Sequence, residues 1–131
     1  MTIIGRKELI KIPIVSNDYM VAKIDTGAYS SSIHCDRVEA NELGLDIVMD
    51  DKTIIRLNAG EYKYKSVKSS NGIIEVRVTT KLNVVFNNKK YKTMFTFTNR
   101  DNMSSKILIG RKFLSKRYIV DVAKTNTLKK R

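Results

Sequence analysis

One cysteine, one proline and one histidine are all that the 131 residues hold of those three types. A lone thiol, Cys35, cannot form an internal disulfide, which fits a reducing compartment. A single proline and six glycines exclude collagen-like and low-complexity chains. No apolar run approaches the ~18 residues that would cross a bilayer, and Arg6, Lys7 and Glu8 stand where a secretory apolar segment would lie. The expectation is a cytoplasmic chain with no membrane association. The sequence also has no Gly-x-x-x-x-Gly-Lys-Ser/Thr loop, no His-Glu-x-x-His and no pair of cysteines. His34 and Cys35 are adjacent, so on a strand they point to opposite faces and cannot easily share an ion. No metal and no cofactor is expected, and His34 reads as a packed or hydrogen-bonded side chain.

Acidic residues are scarce: 13 Asp and Glu face 25 Lys and Arg, a formal net charge of +12. A field of that sign draws nucleic acid, anionic lipid or acidic peptides. Lysines interleave with tyrosines in Tyr62-Lys-Tyr-Lys65 and Lys89-Lys-Tyr-Lys92, and the chain ends Lys-Lys-Arg. One reading is therefore a basic β-domain that binds nucleic acid or ribosomes. A solvated face is the plainer account, since no RNA-recognition or OB-type signature accompanies these residues.

What is abundant is short apolar runs, in a chain that is 42% hydrophobic and 29% charged. The length suits one domain, taken as residues 1–123, with a basic tail over 124–131 that is expected to fray. Two-residue alternation predicts an edge strand within 3–15, broken by Pro13, and a strand over 19–25 with Met20, Ala22 and Ile24 on one face. A weak helical turn is read at 39–45. Strands follow at 53–57 and 61–68. Ser69-Ser-Asn-Gly72 is a turn leading into a long strand over 73–86, with Ile74, Val76 and Val78 on one face and Glu75, Arg77 and Thr79 on the other. After a turn at 87–90, a strand from Tyr91 places Phe95 and Phe97 together. Ile107-Leu-Ile109 has the pattern of a central buried strand, followed by a short helix over 111–117 and a strand over 118–122. The fold class is all-β, with one short C-terminal helix and a closed or orthogonally packed β-barrel as the expected shape.

The most informative residues are Asp25-Thr26-Gly27, followed by Ala28. A carboxylate at the end of a buried apolar strand is costly unless it is hydrogen-bonded or used. By itself the tripeptide is also an ordinary turn. Its weight grows because Ile107-Leu-Ile-Gly110-Arg111, an apolar run ending at glycine before a short helix, lies downstream of the long hairpin.

Together these segments resemble the retroviral-type aspartic proteases, the retropepsins. More closely, Ile4-Gly-Arg-Lys-Glu8, Ala22-Lys-Ile-Asp-Thr-Gly-Ala28, Ser32-Ile-His34, Val67-Lys-Ser-Ser-Asn-Gly72 with Glu75 and Arg77, and Ile107-Leu-Ile-Gly-Arg111 with Val120-Asp121 are similar to a bacterial family named ATP-dependent zinc proteases. Its members are found beside ATP-grasp ligases. The resemblance implies an aspartic endopeptidase in which Asp25 is catalytic, Thr26 locks paired loops across a two-fold axis and the Gly27 amide donates toward the carboxylates. Ala28 and the hairpin tip, Asn71 and Gly72, would bind substrate. Peptide hydrolysis of this type needs two carboxyls sharing a proton, and this chain offers one such loop, so the implied enzyme is a homodimer. An ATP-grasp ligase is the implied partner, with an acidic peptide or protein as substrate. Two alternatives stay open beside it: an ordinary exposed hairpin in place of a flap, and a retropepsin fold kept as a non-proteolytic interaction domain. Glu75 and Arg77 read as a structural pair more readily than as cleft residues. Arg111 is a candidate to brace the loop, although Tyr29 stands where many retropepsins carry an acid.

Overall fold

Short apolar stretches separated by polar turns give twelve strands and one helix among the described residues of this computed structural model, 1–68 and 71–128. They are β1 (Thr2–Ile4), β2 (Lys7–Ile10), β3 (Met20–Ile24), β4 (Ser31–His34), β5 (Arg37–Ala40), β6 (Gly44–Val48), β7 (Ile54–Asn58), β8 (Lys63–Lys68), β9 (Ile74–Phe86), β10 (Lys89–Thr98), β11 (Ile107–Ile109), α1 (Arg111–Leu114) and β12 (Tyr118–Val120). Seven strands form one sheet in the order β2-β3-β11-β4-β10-β9-β8. A three-stranded meander, β5-β6-β7, and the parallel pair β1-β12 complete the architecture. β11 is central, parallel to β3 and antiparallel to β4, with Ile107 and Ile109 buried.

The all-β class with one short helix holds, but no closed barrel forms among the described residues. The edge strand β2 reaches β9 only through an isolated bridge, in which Lys11 and Val85 exchange two backbone hydrogen bonds of 3.0 and 2.8 Å. Pro13 follows, and the amides of Val15 and Ser16 turn back to the carbonyl of Ile12, so the strand stops before a ladder can grow. The predicted strand over 3–15 is accordingly two strands, and Ile14 is exposed where Ile12 is buried.

Three other local expectations are corrected. Residues 39–45 form no helical turn but the reversal between β5 and β6. The side chain of Asn41 accepts the amides of Leu43 and Gly44 there, and Gly44 takes a positive φ of 154°. The helix stops at Leu114, because Lys116 adopts a left-handed φ of 67°. The tail does not fray over its described part. The carbonyl of Lys124 accepts the Arg6 amide, and the amide of Asn126 donates to the carbonyl of Lys7, so residues 124–128 lie along the β1-β2 connection. Residues 129–131 of the predicted tail lie outside the described residues, as do Ser69 and Ser70 of the predicted turn.

The core joins the two halves of the site's support. Phe86, Phe113 and Tyr118 meet edge to face or stacked, with centroids 5.2 to 6.2 Å apart. Such pairs are each worth about 0.5–1.5 kcal/mol beyond the area they bury. They pin α1 against β9 and thereby fix where Gly110 and Arg111 stand. The Asn87-Asn88 turn, with both φ values positive, is the two-residue type that matches strand twist, so β10 begins earlier than predicted, at Lys89.

Candidate active site

Asp25 follows directly on β3, where Ala22 and Ile24 enter the core and Lys23 faces outward. Its amide donates to the carbonyl of Ile109 at 2.9 Å, so the carboxylate is placed by the central strand. The Gly27 amide donates to Asp25 Oδ1 at 2.9 Å, and the Ala28 amide reaches the Asp25 carbonyl at 3.3 Å. Asp25 and Ala28 are half-buried while Thr26 and Gly27 are exposed, so the carboxyl sits at the floor of a loop whose tip faces outward. A Cβ on Gly27 would stand 3.1 Å from Asp25 Oδ1 and crowd that hydrogen bond.

The segment after β11 holds this loop from behind. Gly110 donates its amide to Ser31 Oγ at 3.1 Å, Arg111 its amide to the Ala28 carbonyl at 2.8 Å, and Lys112 its amide to the Tyr29 carbonyl at 3.0 Å. A Cβ on Gly110 would fall 2.6 Å from the Ser30 carbonyl oxygen, so only glycine permits this approach. The Arg111 side chain finds no carboxylate at position 29. It donates to the Thr26 carbonyl at 3.0 Å and lies 5.8 Å from the centre of the Tyr29 ring. Lys65 of β8 also reaches this ring, at 5.2 Å, and donates to Ser30 Oγ, which ties the long hairpin to the loop.

Asn71 and Gly72 stand at the end of that hairpin, Gly72 with a φ of 85°. The Ile73 amide donates to Asn71 Oδ1 at 3.3 Å. Behind the tip Ile73, Ile74 and Val76 are each more than 60% exposed, so the arm projects past its own core and presents apolar side chains to solvent. Glu75 and Arg77 do pair: Nε and Nη2 of Arg77 each lie 3.1 Å from Glu75 Oε2, and Thr98 Oγ1 donates to Oε1 at 2.7 Å.

Residues 3–131 match the family described as RimB-like, retropepsin-like aspartic endopeptidase RimB. The chain belongs to this RimB-like family. A protein from Shewanella halifaxensis named "Probable alpha-L-glutamate ligase" is 29% identical over 128 residues, which cover 91% of this chain and 28% of that protein. One of the same name from Desulfotalea psychrophila is 27% identical over 130 residues, covering 92% and 28%. The chain thus spans little more than a quarter of the length of these relatives. Among solved structures, the crystal structure of Lpg0085, a protein of unknown function from Legionella pneumophila, is similar over 98% of both chains with a TM-score of 0.75 and 28% identity.

The RimB-like retropepsin core is accompanied by a polar cluster around His34, the side chain read from the sequence as packed or hydrogen-bonded. His34 Nδ1 accepts the Arg100 amide at 2.8 Å, and its Nε2 lies 2.8 Å from Asp36 Oδ1 and 3.5 Å from Asp101 Oδ1. These three side chains lie close enough together to gather around an ion, but the Arg100 amide weighs against it. With the Nδ1 lone pair facing an N–H, the neutral ring carries its proton on Nε2, directed at Asp36. Binding a metal through Nε2 would set two N–H groups against each other. Arg100 and Glu8 are both buried; Arg100 belongs to no short motif, and Glu8 closes Ile4-Gly-Arg-Lys-Glu8 with no sign there that its carboxylate is enclosed. No helix among the described residues is long and apolar enough to cross a membrane.

Proposed function

We propose that this chain is an aspartic endopeptidase that works as a homodimer in the cytoplasm and hydrolyses peptide bonds in acidic peptides. The observation that carries the reading is the Asp25 carboxyl, oriented by the Gly27 amide on a loop braced by Gly110 and Arg111, in a chain of the RimB-like family. One carboxyl cannot both take a proton from water and give one to the substrate carbonyl. Two copies of Asp25 brought together across a two-fold axis supply both roles, because like charges ~3 Å apart retain a shared proton. The exposed tip of each loop, Thr26 and Gly27, is the surface such a pairing would use. The apolar side chains behind the hairpin tip would then close over a bound peptide as an added strand.

The charge of +12 favours acidic substrates, and the relatives' printed ligase name suggests their source. A glutamate ligase of the ATP-grasp kind would be the natural functional partner, making glutamate-extended peptides or proteins for this enzyme to trim. The deciding experiment compares the chain with its Asp25→Asn variant on a peptide library, with sedimentation measured on both. Loss of at least about a thousandfold in cleavage with the fold retained supports the dyad. Undiminished cleavage by the variant, or cleavage by a strict monomer, rejects it.

A further inference from the structure

The row Lys23, Leu108, Ser32, Thr96 and Thr79 runs in register across β3, β11, β4, β10 and β9. It lies on the side of the sheet opposite Ile24, Ile33 and Phe97, which are buried in the core. By alternation Asp25 continues the side of Lys23. Two arginines are laid over this row. Arg100 Nη1 donates to Ser32 Oγ at 3.1 Å, and Arg77 Nη1 reaches Thr96 Oγ1 at 3.4 Å.

Arg77 has its acid, Glu75, whereas Arg100 has none. Arg100 is 8% exposed, yet among the described residues no carboxylate lies within ion-pair distance of its guanidinium. Its Nε donates to the Ser105 carbonyl at 2.9 Å and its Nη1 to Ser32, which uses two of five N–H groups. Nη2 has no partner among the described residues and, since no buried side-chain nitrogen is left without one, it keeps contact with solvent. Burial and the neighbouring Arg77 push this guanidinium below its usual range, and Asp25 pulls the other way. Other arginines without an acid, Arg6, Arg111 and Arg117, are exposed to water. A buried cation with donors left over is expensive unless an anion arrives from outside.

We propose that Arg100, supported by Arg77, is a specificity-determining residue of the peptide cleft that takes a glutamate or aspartate side-chain carboxylate of the bound peptide, on the sheet face shared with Asp25. The planar fork of a guanidinium matches a carboxylate, and the hydroxyls of Ser32 and Thr96 hold the two arginines in place. This assignment rests on the peptidase reading, so its test separates the two.

Peptides of one sequence carrying Glu or Gln, stepped one position at a time, are compared for cleavage by the wild-type chain and for binding to its Asp25→Asn variant. At one position Glu should be preferred, and Arg100→Gln should reduce that preference about 30-fold while changing the Gln peptide little. Lys116→Gln, which removes an exposed charge elsewhere, should leave the ratio unchanged. If Arg100→Gln fails to fold, Arg100→Lys keeps the charge but loses the fork, and the preference should shrink severalfold. An undiminished Glu preference in a folded Arg100 variant, or an equal loss with Lys116→Gln, overturns the assignment. Cleavage of no peptide by the wild type would sink the peptidase reading, while the binding comparison still decides the role of Arg100.

Discussion

The buried carboxylate of Glu8 receives Thr127 twice: Oε2 accepts its hydroxyl at 2.5 Å and its amide at 3.1 Å. The Gly5 amide donates to the same oxygen at 2.6 Å and the Leu128 amide to Oε1 at 2.9 Å, so one side chain clasps the β1-β2 connection to residues 127 and 128. Glu8→Gln replaces one acceptor oxygen by a donor that faces other donors. A loss of about 2 kcal/mol in urea unfolding is expected, and about 3 kcal/mol for Glu8→Ala. A chain ending at Lys124 should lose most of the same stability, with Glu8→Gln adding little on top of it. Simple additivity of the two changes would show that the clasp does not act as a unit.

The closest backbone approach behind Asp25 gives a second expectation. A methyl at position 110 meets the Ser30 carbonyl oxygen at 2.6 Å, with the Tyr29 carbonyl oxygen at 2.8 Å, and neither can swing aside as a side-chain end would. Gly110→Ala should therefore destabilise the fold by about 2–3 kcal/mol and displace the Asp25 loop. Gly72→Ala, at an exposed position with open space around it, should cost about 1 kcal/mol through its positive φ alone. Urea midpoints of the two variants check the order, and equal losses would contradict it.

The parts of the fold that were legible are those fixed by local pattern. Ile107-Leu-Ile109 announced a central strand because a wholly apolar triplet before glycine has nowhere else to go, and Asp25 was found because it ends such a pattern on β3. What stayed hidden depends on partners far along the chain. Glu8 gave no sign of burial, since the amides that satisfy it come from residues 127 and 128. Arg100 sits in a stretch that read as plain loop, and its burial arises from contact with Ser32, 68 positions away. The weak helical turn expected over 39–45 is a strand reversal instead, because Gly44 suits a helix end and a hairpin turn alike, and Asn41, a poor helix former, accepts the amides that close the turn.

Cys35 is a quiet thiol by construction. It is 3% exposed, and burial above all, then the charges of Asp36 and Glu75, push its pKa up to about 11. Thiol reagents at pH 8 should modify it far more slowly in the folded protein than in urea. Because the folded value lies above the ordinary 9.0, the associated stabilisation is fully present below pH 9 and is lost as pH rises through about 11. Cys35→Ser should flatten that part of the stability profile. Rapid labelling of the folded chain at pH 8 would contradict the buried, protonated thiol.

His34 offers the sharpest check on metal chemistry. Its ring joins two segments: Nδ1 accepts the Arg100 amide while Nε2 donates to Asp36, so one neutral tautomer satisfies both sides. Zinc at Nε2 would force the opposite tautomer and break the hydrogen bond that Nδ1 accepts from the Arg100 amide, on which the placement of the acid-binding guanidinium depends. Adding zinc should therefore leave the melting temperature unchanged, and a chelator should leave peptide cleavage unchanged. His34→Asn keeps an acceptor near the Nδ1 position and should cost about 1 kcal/mol, whereas His34→Ala strands the Arg100 amide and should cost about 2–3 kcal/mol. A rise in melting temperature with zinc that disappears in His34→Asn would show that the ring yields its proton to a metal after all, and would overturn the tautomer assigned here.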